Sequence, residues 1–206
     1  MKYFLGLLLV FGMLSCDGNK EVQLPKADKT IVADVQEHSP IYIFFKVEGK
    51  DTIAKVNRKN SISSTNWIFN IDKRLPLHLV VPELIKLQAK KDGSMHKNEA
   101  SKNYFSYANE VKKTMAFMPF TMVKFLMKKP KTGAVVYFAK NNKILVDDVA
   151  VQKDSLENYL DKLPLAKYHD INFCFDKNST FDSYIKNQMI IRSMEIEFAK
   201  PENFIF

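Results

Sequence analysis

Two stretches of this chain follow one plan: NWIFNIDK at residues 66–73 and INFCFDK at residues 171–177. Each is a short apolar run of strand character that stops at an Asp-Lys pair. After each comes a segment with helical spacing. The first is LPLHLVVPELIKLQAKK; the second runs from Thr180 to about Met194, with Ile185 and Met189 supporting one stripe. A chain built from such units is confined to folds in which short strands and single helices alternate.

A hairpin signal stands upstream of each unit. IYIFFKV and DTIAKVN flank Glu48, Gly49 and Lys50, and Ala134 to Ala139 and Ile144 to Val151 flank Asn141 and Asn142. Asparagine tolerates the left-handed dihedrals a tight turn needs. The second unit adds a helix, DSLENYLDKL, with Asp154 or Ser155 as its cap, Leu156, Leu160 and Leu163 at helical spacing, and Pro164 as its stop. At the corresponding place in the first unit, RKNSISSTN is too short and too rich in serine and asparagine for a helix. A last strand, MEIEF, precedes Pro201, and the tail Phe204 to Phe206 is read as a final edge strand in preference to a hydrophobic dock for a partner. The expected class is α+β: two small sandwiches of mixed sheet and helices, the second with order ββαβαβ. Aligning Asp72-Lys73 on Asp176-Lys177 puts Phe69 on Phe173. With the helices shifted by one turn it also puts Ile85 on Ile185 and Lys86 on Lys186. This is the pattern of a divergent internal duplication, or of short strand-helix motifs recurring by chance.

Between the halves KKDGSMHKNEASKN reads as a polar loop. Tyr104 to Ala116 reads as a helix ending near Phe117 because of Pro119, and FTMVKFLM as a strand. Val111, Met115, Met118, Met122 and Phe125 keep a four-three spacing, read as core packing in preference to a promiscuous docking stripe. From Lys86 to Lys131 eleven lysines stand against Asp92, Glu99 and Glu110. The local excess thus matches the +8 of the whole chain, so the remainder is close to neutral. The segment is either a solvated lysine-rich insertion or a field for anionic membrane or polymer surfaces.

The N-terminus sets the compartment. Lys2 precedes an apolar core from Tyr3 to Leu14, too short to span a bilayer and laid out as a secretory signal. Ser15 before Cys16, and Asp17, Gly18 and Asn19 after it, suit cleavage just ahead of the cysteine. This resembles the bacterial lipoprotein signal, which implies acylation of Cys16 and a stable multi-chain membrane anchor. Met13 and Leu14 depart from the commonest form of that signal, and the alternative is an ordinary cleaved signal with an incidental cysteine. The expected organisation is a signal peptide at 1–15, a lipidated tether at 16–32, an N-terminal α+β domain with the basic insertion at 33–130, and a C-terminal α+β domain at 131–206. With Cys16 acylated, Cys174 has no disulfide partner and reads as a small buried hydrophobe.

Chemistry-bearing motifs are sparse. His38, His78, His96 and His169 are scattered without metal-ligand spacing, so neither a metal site nor a cofactor is expected. Asp147-Asp148, and Asp170 with Asp176, offer carboxylates for acid or base work, but carboxylates at strand ends also cap turns. No nucleophile elbow or phosphate loop is present, and six glycines leave little flexible cradle. An exported chain has little access to nucleic acid, and its lysines are not interleaved with arginines.

The segment Lys143 to Phe198 resembles the periplasmic domain of the ExbD/TolR family of biopolymer-transport accessory proteins. The similar elements are ILVDDVAV leading to DSLENYLDKL, then INFCFDKNSTFDSYIKNQMIIRSM, in which a strand ends at Asp176 and Phe181 opens the next helix. The resemblance implies a small domain that pairs with itself or with envelope partners, without catalysis. Family members carry an uncleaved transmembrane helix with an acidic residue, whereas the apolar segment here holds neither Asp nor Glu, which removes the motor role. The reading from sequence is therefore a lipid-anchored, non-catalytic envelope module. Its expected partners are the membrane through the anchor, and an envelope protein or anionic surface polymer; the alternative is a ligand-binding or hydrolytic lipoprotein. Mass analysis of the mature N-terminus tests the anchor: wild type carries acyl mass on Cys16 and sediments with membranes, and Cys16→Ala does neither.

Overall fold

The computed structural model describes residues 21–96, 98–164, 171–194 and 201–206. Cys16, His169, Asp170 and the part of MEIEF beyond Met194 lie outside the described residues. The first half comprises β1 (Lys26–Ala27), β2 (His38–Glu48), β3 (Asp51–Asn57), β4 (Asn66–Ile71), α1 (Leu77–Asp92), β5 (Asn103–Asn109) and β6 (Thr114–Pro119). The hairpin β2–β3 closes at Gly49, whose φ of 63° is the left-handed region that glycine enters without a Cβ clash. β4 runs parallel to β2 and β5 parallel to β4. β6 returns antiparallel along β5, and β1 pairs parallel beside the far end of β5.

The second half comprises β7 (Lys124–Leu126), β8 (Ala134–Phe138), β9 (Ile144–Val146), β10 (Val149–Val151), a 3-10 turn over Lys153–Ser155, α2 (Leu156–Leu160), β11 (Ile171–Phe175), α3 (Phe181–Ser193) and β12 (Glu202–Ile205). Its strand order is β10-β9-β8-β11-β12-β7, with the last four strands parallel. The chain is thus α+β, with two mixed sheets, as the alternation of short strands and single helices implies.

Period-two alternation builds each inner face. Ile41 and Ile43 on β2, Trp67, Phe69 and Ile71 on β4, and Phe105 and Tyr107 on β5 point inward from the first sheet; Val136, Phe138, Phe173 and Phe175 do so from the second. These residues and the buried faces of α1, α2 and α3 form one continuous cluster. Phe105 lies 5.2 Å from Phe181 and 6.1 Å from Tyr184 between ring centroids, and Tyr184 lies 5.0 Å from Phe175. Helix α3 therefore touches both sheets, and neither half closes its core alone.

The two strand-to-helix turns meet each other. Pro76 and Thr180 form an antiparallel bridge. Around it the Leu77 amide donates to the Ser179 carbonyl at 2.9 Å, and the Phe181 amide to the Leu75 carbonyl at 2.8 Å. One step further, His78 donates to the Lys177 carbonyl at 2.8 Å and Asp182 to the Lys73 carbonyl at 3.1 Å. Every bond has a mate with the halves exchanged, the reciprocity of a twofold contact between identical subunits, here inside one chain. The separation that takes Pro76 to Thr180 also takes Leu77, Val80, Val81, Leu84 and Leu87 to Phe181, Tyr184, Ile185, Gln188 and Ile191, all ten of them buried. The helices therefore match without the one-turn shift: Ile85 stands against Met189 and Lys86 against Ile190.

Several expectations are corrected. Tyr104 to Ala116 is not a helix but β5 and the start of β6, because the stretch alternates Phe105 and Tyr107 inward with Ser106 outward, and the Asn109 side chain accepts from the amides of Val111 and Lys112 to close the turn. The four-three stripe is correspondingly split: Met118 and Phe125 are buried, and Val111, Met115 and Met122 are exposed. Ile144 to Val151 is two strands, since Asp147 and Asp148 both take positive φ in a two-residue turn. Ser155 makes no side-chain cap, and α2 ends at Leu160. The tail becomes β12, paired on both sides by β11 and β7, so it is an interior strand and not an edge.

The described part of the expected tether packs onto the fold. The Ile31 amide donates to the Tyr107 hydroxyl, that hydroxyl donates to the Lys29 carbonyl, and Asn109 bonds Asp28 and Thr30. The lysine-rich segment is not a single insertion either. Its described lysines are spread over α1, the loop before β5, the β5–β6 turn, β7 and the approach to β8, and Lys91 is buried, bonded to Asn103 and placed 5.1 Å from the Trp67 ring.

One shared core predicts one cooperative unfolding transition. The fluorescence of Trp67, the only tryptophan, and far-UV ellipticity should give the same denaturant midpoint. Tyr184→Ala in the second half should lower the Trp67 midpoint by about 3–5 kcal/mol of stability, the scale for a large-to-small change in a core.

Candidate functional site

A cleft of about 690 Å³ lies on the outer face of the second sheet. On β8, Val135 and Tyr137 alternate with the core residues Val136 and Phe138, so they point away from the core, as Leu145 does from β9. Phe206 follows β12 and stacks on Tyr137 at 5.3 Å. The segment after β7 brings Pro130 and Lys129 to the same place, with the Lys129 ammonium 5.2 Å above the Phe206 ring. The floor is therefore aromatic and aliphatic.

Three carboxylates rim it: Asp147 and Asp148 from the β9–β10 turn and Asp176 from the end of β11. Two of them are engaged by backbone. Asp147 Oδ1 accepts from the Val135 amide at 2.9 Å, and Asp176 Oδ1 accepts from the Asn178 amide at 2.8 Å. Burial, and then the Asp176 charge and a hydrogen bond with its carboxylate, raise the Tyr137 phenol above its ordinary value, so it stays protonated. No histidine is among the lining residues.

Asp72, the counterpart of Asp176, has another fate. Its side chain is fully buried, and Arg74 binds both of its oxygens at 2.8 Å while the amides of Arg74 and Gln23 donate to the same carboxylate. Burial pushes the Asp72 carboxyl up, but these hydrogen bonds more than offset it and hold the group below its ordinary value. The guanidinium also lies 4.3 Å over the Phe45 ring. This constellation closes a turn and seals the Asp72 carboxylate from solvent.

The remaining sequence candidates stay apart. His38 and His78 each place Nδ1 against a backbone carbonyl, Val35 and Lys177 respectively, and His96 is exposed. Among the described residues no three His, Cys, Asp or Glu side chains are grouped as a metal site. Cys174 is fully buried on β11, and burial pushes its thiol up to about 12. No described helix is long and apolar enough to cross a membrane. The sequence singled out Asp147, Asp148 and Asp176, which line the same cleft; it carried no signal for Tyr137, preferred an edge strand to a dock for the tail that holds Phe206, and passed over Lys129. The last two reach the cleft only because β7 and β12 are neighbours in the sheet, a pairing no local pattern encodes. Comparison with protein-family models, with curated proteins and with solved structures finds no match to this chain.

Because the folded Asp72 carboxyl has a lowered pKa, its contribution is fully present above the ordinary carboxylate range and is lost as pH falls through the lowered value. Asp72→Asn should cost about 2 kcal/mol near neutral pH, the scale of a buried group losing charged and backbone partners to a half-exposed arginine. It should also flatten the acid limb of stability against pH; a limb as steep as in wild type would place the acid sensitivity elsewhere.

Proposed function

We propose that this protein is a lipid-anchored cell-envelope module that binds without catalysis, and that the cleft on the second sheet receives a segment of another envelope protein. The observation that carries the reading is how the cleft's groups are used. Asp147 and Asp176 each accept a backbone amide, Asp176 also holds the Tyr137 hydroxyl, and the surface left for a partner is the apolar floor formed by the Tyr137 ring, Leu145, Val135 and Phe206. An apolar floor with an acidic rim favours a peptide that brings an apolar anchor flanked by lysine or arginine. The ExbD/TolR resemblance of Lys143 to Phe198 supports the same reading, since that domain serves envelope transport by pairing with partners. The cleft volume also falls in the range of small-molecule sites, which supports the alternative of a ligand-binding or hydrolytic lipoprotein.

A photo-reactive side chain at Leu145 in native envelopes separates the two readings. The interaction reading expects one discrete protein adduct that Tyr137→Ala and Asp148→Lys each reduce about tenfold, the scale of a lost interface anchor. A hydrolytic activity abolished by Asp148→Asn, with no adduct in either background, would overturn it.

A further inference from the structure

A second cleft lies at the far edge of the first sheet and carries the opposite charge. About 500 Å³ in volume, it is lined by Phe44, Lys55, Val56, Asn57, Arg58, Lys59 and Lys90. Lys55 stands on β3, Arg58 and Lys59 on the turn that follows, and Lys90 near the end of α1. Asn57 Oδ1 accepts from the Lys59 amide at 3.2 Å, which orders the turn bearing the two cations. No carboxylate lines the cleft, and none of the four basic groups is in an ion pair among the described residues. Glu48, which lies within reach of the Lys55 charge, is bonded by Lys46 at 2.6 Å.

The cleft is flanked by an aromatic shelf. Tyr42 and Phe44, two residues apart on β2, point outward and stack at 5.7 Å with only 12° between their planes. Tyr42 is 37% exposed, and it stands opposite Asn57 in the ladder just as Phe44 stands opposite Lys55. A stacked pair of rings beside four cations that make no ion pair among the described residues is a two-part recognition surface. The rings accept the apolar C–H face of a sugar, and the lysines and Arg58 accept its carboxylates, the arginine in bidentate fashion. A concave site of this kind suits an extended chain of charged residues better than a flat lipid surface, which meets convex faces first.

We infer that this cleft binds an anionic polysaccharide, a glycan chain bearing carboxylates at intervals. The inference rests on the envelope reading only for where such a polymer would be met; its chemistry is independent of the cleft on the second sheet. Strand registers place Lys59 where the second half has Asp147, and Tyr42 where it has Tyr137. The repeated plan thus carries two clefts of opposite sign, fitted to different partners.

The test is titration of the full chain in nonionic detergent with oligogalacturonate, with uncharged dextran as control, at about 0.05 M and about 0.5 M salt to move the screening length across the cleft. Wild type should bind the carboxylated glycan at low salt and not dextran. The double variant Arg58→Gln, Lys59→Gln should bind about tenfold more weakly, the factor a lost charged hydrogen bond brings. Tyr42→Ala should bind more weakly with its salt dependence unchanged, and Tyr137→Ala should bind as wild type. Arg58, Lys59 and Tyr42 are exposed, and thermal melts of their variants should match wild type; Tyr137 is partly buried, so its variant is titrated at a temperature where its own melt shows it folded. Equal binding of dextran, or charge variants that bind as wild type, would overturn the proposal. So would retention on micelles doped with phosphatidylglycerol that is insensitive to Tyr42→Ala and unaccompanied by glycan binding, which would assign the patch to a membrane surface. Loss of glycan binding in Tyr137→Ala would point to the other cleft. None of these outcomes depends on whether a protein adduct forms at Leu145.

Discussion

The crossing of the two strand-to-helix turns at Pro76 and Thr180 fixes the molecule. Four backbone hydrogen bonds there tie residues 73–78 to residues 177–182, and each is the mate of another. Such turns ordinarily leave the first amides of a helix to water or to a capping side chain. Here Leu77 and His78 give theirs to the opposite half, as do Phe181 and Asp182. The crossing sets both helices beside one another at their N-terminal ends, and their apolar stripes then share the space between the inner faces. The stacked pair Phe105 and Phe120, 3.7 Å between centroids, and the edge contacts of Phe105 with Phe69 and Phe181 complete a seam in which residues from both halves are inseparable.

The two aspartates at these turns show one backbone solution surviving with different chemistry. Asp72 and Asp176 both accept the amide two residues on, and both donate their own amide to the neighbouring parallel strand, to Ile43 and Phe138. Asp72 is sealed by Arg74, whereas Asp176 faces a cleft with Tyr137. The outer faces diverge in the same way. The row that holds Asn57, Tyr42, Asn70 and Ser106 on the first sheet holds Leu145, Tyr137, Cys174 and Phe204 on the second. Inner faces are constrained by a common core; outer faces are free to differ, and function is read there.

How far the sequence could be read depended on whether the signal was local. The hairpins at Gly49 and Asn142, the runs ending in Asp72 and Asp176, and the buried faces of α1 and α3 were legible because a period of two or of 3.6 is written in a few consecutive residues. The helix expected over Tyr104 to Ala116 failed where two patterns overlapped: a four-three run of methionines, and the alternation Phe105, Ser106, Tyr107. Tertiary context chose the alternation, since β5 must lie between β4 and β6 with one face on the core. The split of Ile144 to Val151 was missed because aspartate accepts a left-handed turn less often than asparagine or glycine, so Asp147-Asp148 carried a weak turn signal.

By itself the sequence determined the α+β class, the two strand-Asp-Lys-helix units, the alignment of their strands against one another and the carboxylates near strand ends, because each follows from spacing along the chain. Only the tertiary structure decided that the halves share a single core, that residues 21–36 lie against β5 and β6, that the C-terminal tail is an interior strand, and that Tyr137, Phe206 and Lys129 meet above one sheet while Lys55, Arg58, Lys59 and Lys90 gather at the edge of the other. The physical reason is that parallel strand neighbours and facing sheet surfaces are chosen by the total apolar area they bury and the backbone groups they pair, a sum over residues far apart in the chain.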